Sequence, residues 1–217
     1  MKNGECRVFR LLGKIMQTID IGIVNPKESF LELVDKISNA IFCDIRGKYG
    51  DLTSLNAKCL TNSESISSWL DSMPNMEQTP FFASYLTNNN KFTDSDYSFL
   101  NDEIMNSGII LPSGQLLIRG GSDIAEGFTL KPVSFTVDMA VAIWHARNIR
   151  KHQLNGEPMF FHVAIVSENF KKKACINFGE GKLGHEREVL LQRDSKFELI
   201  EVSENGYSPC VKLWEIT

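Results

Sequence analysis

An α+β fold, with helices gathered in the first half and strands in the second, is what this 217-residue sequence predicts. Three observations point to it. Up to about residue 110 the apolar residues recur at helical spacing. From Leu111 onward they gather into short runs separated by turn residues. One helical segment alone interrupts those runs, so the regular strand–helix alternation of a doubly wound sheet is missing.

The elements follow in order. Pro26 precedes Phe30, Leu31, Val34, Ile37 and Ile41, an amphipathic set at 3.6-residue spacing. Residues 63–70 and 94–105 read as two further short helices, with 86–91 (Leu-Thr-Asn-Asn-Asn-Lys) as a polar loop between them. Residues 115–119 form a short apolar run that ends at Gly120-Gly121, and 131–136 read as a second strand. Asp138 is placed to cap a helix running to Arg150, with Met139, Ala142, Ile143 and Ala146 on one face. Strands then follow at 159–166, 188–191, 197–202 and 211–216. Trp144, Phe160 and Phe161 are expected in the core. No repeat and no long linker divides the chain. One domain over 1–217 is expected, with 1–110 as a mostly helical part and 111–217 as the sheet core.

Charge narrows the classes of partner. With 23 Lys and Arg against 27 Asp and Glu, the net charge is −4, which argues against a binder of nucleic-acid backbones. One small basic pocket for a phosphorylated ligand remains compatible with that balance. The longest apolar stretch, 159–166, contains His162 and falls far short of a membrane span, so no membrane association is expected. Lys2, Arg7, Arg10 and Lys14 interrupt the apolar residues of the N-terminus, making it a poor signal peptide. The five cysteines (Cys6, Cys43, Cys59, Cys175, Cys210) are scattered without C-x-x-C spacing and read as reduced, buried thiols of a cytoplasmic protein. The four histidines have no metal-ligand spacing, so no metal site is expected, and His145 and His185 read as ordinary surface or core residues.

Gly179-Glu-Gly181-Lys-Leu-Gly184 matches a dinucleotide-binding fingerprint in letters only. Lys171-Lys172-Lys173, read as a solvated loop, stands where a buried strand is needed, and 33 residues remain after Gly184. The glycines therefore read as a loop. Glu186-Arg187-Glu188 follows at once. On a strand, residues i and i+2 share a face, so the two carboxylates are expected side by side. Arg119 closes an apolar strand ahead of Gly120, whose missing side chain lets a ligand approach the backbone. Each signal alone also fits an exposed strand end.

Taken in this order, Arg119-Gly120, then Ser134-Phe135-Thr136 with a helix bearing Ala140, Ala142 and Trp144, then Glu186-Arg187-Glu188-Val189-Leu190-Leu191, the chain resembles the R-S-E class of mono-ADP-ribosyltransferases over residues 111–203. That class includes cholera-toxin-like and clostridial binary toxins, vertebrate ecto-enzymes and the Alt and Mod enzymes of T-even phages. Gln192-Arg193 stands where the family has a small residue or proline turn, and Phe135-Thr136 fills the last two places of its S-T-S.

The resemblance implies two facing, mainly antiparallel sheets with NAD as substrate in the cleft between them. It implies Arg119 on the NAD phosphates, Gly120 on the nicotinamide amide, Ser134 holding the catalytic glutamate and the nicotinamide ribose in place, and Phe135 and Thr136 beside it against NAD. Glu188 would be the catalytic glutamate on the ribose 2′-hydroxyl. The loop 178–185 would present the acceptor and Glu186 would engage it, and E-x-E goes with arginine acceptors on a target protein.

The chemistry is consistent with those roles. Cleaving the bond to a cationic nicotinamide builds positive charge on the ribose, which a nearby carboxylate stabilises. An arginine acceptor is itself cationic and needs a second carboxylate to orient it and take its proton. A non-arginine acceptor or plain NAD hydrolysis on the same fold is one alternative, and a non-catalytic interaction module another. The setting expected is a cytosol, as for a phage enzyme inside bacteria or an effector delivered into a host cell.

Overall fold

A computed structural model describes residues 60, 64–148, 160–178, 186–204 and 210–217 of the chain. The expected helix after Pro26, the glycine loop 179–185 with His185, and Cys6, Cys43 and Cys59 lie outside the described residues. Among the described residues the first elements are the helices α1 (Glu64–Ser72), α2 (Pro80–Asn88) and α3 (Asp94–Ser107). Strands β1 (Ile109–Ile110), β2 (Leu116–Gly121), β3 (Gly127–Phe128) and β4 (Val133–Thr136) follow, then α4 (Met139–Asn148). The chain closes with β5 (Phe160–Val166), β6 (Lys173–Asn177), β7 (Glu188–Leu191), β8 (Lys196–Glu204) and β9 (Cys210–Ile216). The class is α+β, as the order of signals predicts.

Several differences from the sequence reading have local causes. The segment read as a polar loop at 86–91 is the end of α2 and a 3-10 turn. Pro80 opens α2 at its first turn, and Thr79 makes no side-chain cap. Glu103 of α3 supplies the cap instead, accepting hydrogen bonds from the Phe81 and Phe82 amides at 2.9 and 2.8 Å. No local sequence signal carries that long-range cap. Strand β6 begins at Lys173, so one residue of the lysine run belongs to a strand and the Ala174-Cys175-Ile176 behind it is buried. Helix α3 starts as its sequence suggests, with a Thr93–Asp96 capping box.

The nine strands of the described residues form one order, β1-β6-β7-β4-β2-β5-β9-β8-β3, in which every pairing but β5–β9 is antiparallel. The two facing sheets expected from the resemblance are thus halves of one ladder. They join at β2–β4 through a single register pair, Ile118 and Thr136. In a flat sheet β4 and β8 would stand about 19 Å apart, four strand spacings. Their Phe135 and Phe197 rings instead stack with centroids 5.8 Å apart. The ladder folds over at the weak join, and its inner faces share one core that includes Leu117, Phe135, Val189, Leu191, Phe197 and Trp214. On α4, Met139, Ala142, Ile143 and Ala146 are all buried, while Trp144, off that face, is 55% exposed and not in the core as expected.

His162 is buried on β5 with both ring nitrogens committed. The Trp214 indole N–H donates to Nδ1 at 3.0 Å, so the proton sits on Nε2, which donates to the Ser122 carbonyl at 3.1 Å. Burial is the main reason its pKa falls to about 4, against an ordinary 6.5. Between those values the unfolded chain binds the extra proton, so stability is lost as pH falls through that window, by roughly 3 kcal/mol for this residue. Between about pH 7 and 4 the urea midpoint of wild type is expected to fall relative to that of His162→Asn; a constant difference between the two would refute the assignment.

Candidate active site

Period-two alternation on two paired strands builds the site. Thr136 on β4 lies directly opposite Glu188 on β7, and Ser134, two residues back, shares their face. The opposite parity sends Phe135, Val189 and Leu191 into the core between the folded halves. Phe135 borders the cleft, yet its ring is 2% exposed and stacked on Phe197, so it acts as core. Leu190, on the Glu188 face, packs with Tyr85 of α2 and Cys175 of β6 in a second apolar cluster under α2 and α3. Helices α2 and α3 therefore roof the face on which Glu188 stands.

Glu188 is buried, and its carboxyl is pushed up to about 7, mainly by loss of water. A hydrogen bond from the Ser134 side chain and the positive charge of Arg119 oppose that rise, and Glu186 adds to it. Arg119 reaches in from β2, where its Nη1 donates to the Ser134 carbonyl at 2.7 Å. Its Nε is buried without a partner, which leaves a guanidinium donor available to an anion such as a phosphate. Tyr85, which the sequence did not single out, keeps its proton because burial and the Glu188 charge both raise its pKa. No sequence pattern marks this tyrosine; its α2 position matters only once the helix lies over β7.

Gly120 has a second reason to be glycine beside the one expected. A Cβ there would come within 1.9 Å of the Ala142 carbonyl and 2.7 Å of the Ala146 amide nitrogen, so its bareness lets α4 approach β2. The Gly120 backbone still borders the cleft.

Glu186 and Glu188 do not share a strand. The strand starts at Glu188, and Arg187 sits at φ 47°, a left-handed conformation that costs a non-glycine residue energy. A turn, not a pleat, brings both carboxylates to the same cleft. A set of contacts holds that turn. Thr136 Oγ1 donates to the Glu186 carbonyl at 2.8 Å and accepts from the Asp138 amide at 2.9 Å. Asp138 caps α4 through the Ala140 amide at 2.9 Å, as its sequence position predicts, and its other oxygen lies 3.7 Å from Arg187 Nε.

The cleft is walled by Arg119, Gly120, Ser134, Thr136, His145, Glu186 and Glu188, with Ile118, Val141 and Ala142 as its apolar part. Its volume is about 110 Å³, smaller than the roughly 150 Å³ cavity that takes benzene. His145, on α4, places Nε2 3.8 Å from Glu186 Oε2. Among the described residues no cluster of three metal-binding side chains occurs.

No family model and no curated protein matches the sequence. Among solved structures, the chain is similar to C3stau2 from S. aureus with NAD, at 12% identity and TM-score 0.47, over 70% of this chain and 92% of that one. It is similar to BECa, an ADP-ribosylating toxin of a C. perfringens binary enterotoxin with NADH, at 12% identity and TM-score 0.46, over 78% of this chain and 49% of that one. Vis toxin, an ADP-ribosyltransferase from Vibrio splendidus, is similar at 12% identity and TM-score 0.40, over 90% and 89%. The functional reading rests on the cleft's own geometry.

Proposed function

We propose that the protein is an NAD-dependent mono-ADP-ribosyltransferase that transfers ADP-ribose to an arginine of a target protein and releases nicotinamide. The observation that carries this reading is a buried, Ser134-bonded Glu188 in one cleft with a second carboxylate and a guanidinium that has a donor to spare. In this reading Arg119 pairs with the NAD phosphates, and Gly120 meets the nicotinamide amide through its backbone. Ser134 steadies Glu188, and Glu188, once ionised, bonds the ribose 2′-hydroxyl and faces the positive charge that grows as the nicotinamide bond breaks. Burial strengthens that electrostatic effect and also raises the carboxyl's pKa. Glu186 orients the cationic acceptor and takes its proton. The site of action proposed is a cytosol, that of the producing cell or of a host receiving the protein.

Nicotinamide release from NAD, with and without the guanidine acceptor agmatine, tests the reading. Wild type is expected to release more with agmatine. Glu186→Gln is expected to lose transfer by about 100-fold or more and to keep a measurable rate of NAD hydrolysis. Equal loss of both activities would overturn the division of labour between the two glutamates, and no release from wild type under any condition would overturn the enzyme assignment.

A further inference from the structure

Glu186 has a neighbour that the transferase chemistry above leaves unused. His145 stands on α4 one turn beyond Val141 and Ala142, so positions 141, 142 and 145 present one stripe of the helix to the cleft. Its Nε2 lies 3.8 Å from Glu186 Oε2, an ion-pair distance and longer than a hydrogen bond. The ring is 41% exposed, so protons reach it from solvent, while the Glu186 carboxylate is 18% exposed. Trp144 stacks edge-on beside it with centroids 4.9 Å apart.

We propose that His145 is a specificity-determining positioning residue that competes with the cationic acceptor for the Glu186 carboxylate. Protonated, the imidazolium pairs with Glu186 and adds a positive charge where a guanidinium must enter. Neutral, it leaves the carboxylate to the acceptor. Water as acceptor carries no charge and needs no such pairing, so protonation of this ring shifts the site from transfer towards hydrolysis. The inference rests on the transferase reading and deepens it. The step it controls balances: the nicotinamide–ribose bond breaks, an acceptor nitrogen bonds the ribose carbon, and Glu186 takes the proton that nitrogen loses and releases it to solvent.

The groups around the ring set its response. Burial and the Arg119 charge from β2 hold His145 below the ordinary histidine value, and Glu186 pulls it back up. Strand β4 contributes no ionisable side chain, His162 on β5 has both nitrogens engaged, and Asp138 at the head of α4 lies against Arg187. Glu188, in the same cleft, is needed for both hydrolysis and transfer, so its titration cancels in their ratio.

The test is that ratio, agmatine-stimulated over basal nicotinamide release, measured from about pH 5.5 to 8 in wild type and in His145→Gln. The wild-type ratio is expected to fall severalfold, by less than about tenfold at pH 5.5 because the ring titrates below the ordinary histidine value, and the His145→Gln ratio to stay flat. Imidazole NMR titration is expected to place the His145 pKa lower in Glu186→Gln than in wild type, a shift that loss of packing alone would not produce. A flat wild-type ratio, the same acid fall in His145→Gln, or an unmoved NMR titration overturns the proposal and leaves the transferase reading standing. Absence of basal release from wild type at every pH sinks both.

Discussion

Glu188→Gln is expected to lower nicotinamide release by about 100- to 10,000-fold while the protein stays folded. The amide keeps the size of the side chain and can still accept from Ser134, so the geometry around β4 and β7 survives. What it removes is the negative charge that opposes the positive charge developing on the ribose. The pH profile supplies an independent check. Because burial pushes the Glu188 carboxyl up to about 7, wild-type cleavage is expected to rise as pH climbs through that value. The same shift fixes a stability trend. The folded state holds a proton that the unfolded chain releases near 4.5, so stability contributed here is full below that value and falls as pH rises to about 7. The loss amounts to roughly 3 kcal/mol, and it is absent from the Gln variant. Thermal melts at about pH 8 should therefore show Glu188→Gln at least as stable as wild type. A large drop in melting temperature would mean that Glu188 is structural.

Gly120→Ala should unfold or severely weaken the protein. The added methyl would meet backbone atoms, the Ala142 carbonyl and the Ala146 amide, and neither can rotate aside as a long side chain would. Helix α4 would have to move off β2. With it would go the buried stripe of Met139, Ala142, Ile143 and Ala146, and the cleft wall at Val141, Ala142 and His145. Overpacking of this kind costs about 3 kcal/mol or more when backbone is in the way. Urea denaturation and soluble yield give the readout. A soluble, wild-type-stable Gly120→Ala protein with weakened NAD binding would show instead that the glycine serves the ligand alone.

Part of the cleft is legible in the amino-acid sequence. Hydrophobic periodicity marks the class, because helix and strand repeats differ whatever the partner elements are. It also places β7 from Glu188 and the buried face of α4, and the Asp138 cap is visible because N-capping is a local event. Arg119, Ser134, Glu186 and Glu188 are marked by their order along the chain, and the fold brings all four to one cleft. Helix α2 and strand β6 escape the sequence reading, although Pro80 and the helical spacing of Phe82, Tyr85 and Leu86 mark α2. A cap from Glu103, twenty-odd residues away, stabilises one, and a lysine run hides the other.

What the sequence determined by itself was local: which segments coil, which extend, and which face of each is apolar, since those follow from neighbours within a turn or a pleat. What only the tertiary structure decided was everything that depends on distant segments meeting. The ladder folds over at a single β2–β4 pair, which puts Phe135 into the core on Phe197. Close approach of α4 gives Gly120 its second purpose. A left-handed Arg187, held against Asp138, turns Glu186 into the cleft beside His145. The raised pKa of Glu188 belongs to this second group, because a carboxyl loses its water only when the rest of the chain closes around it.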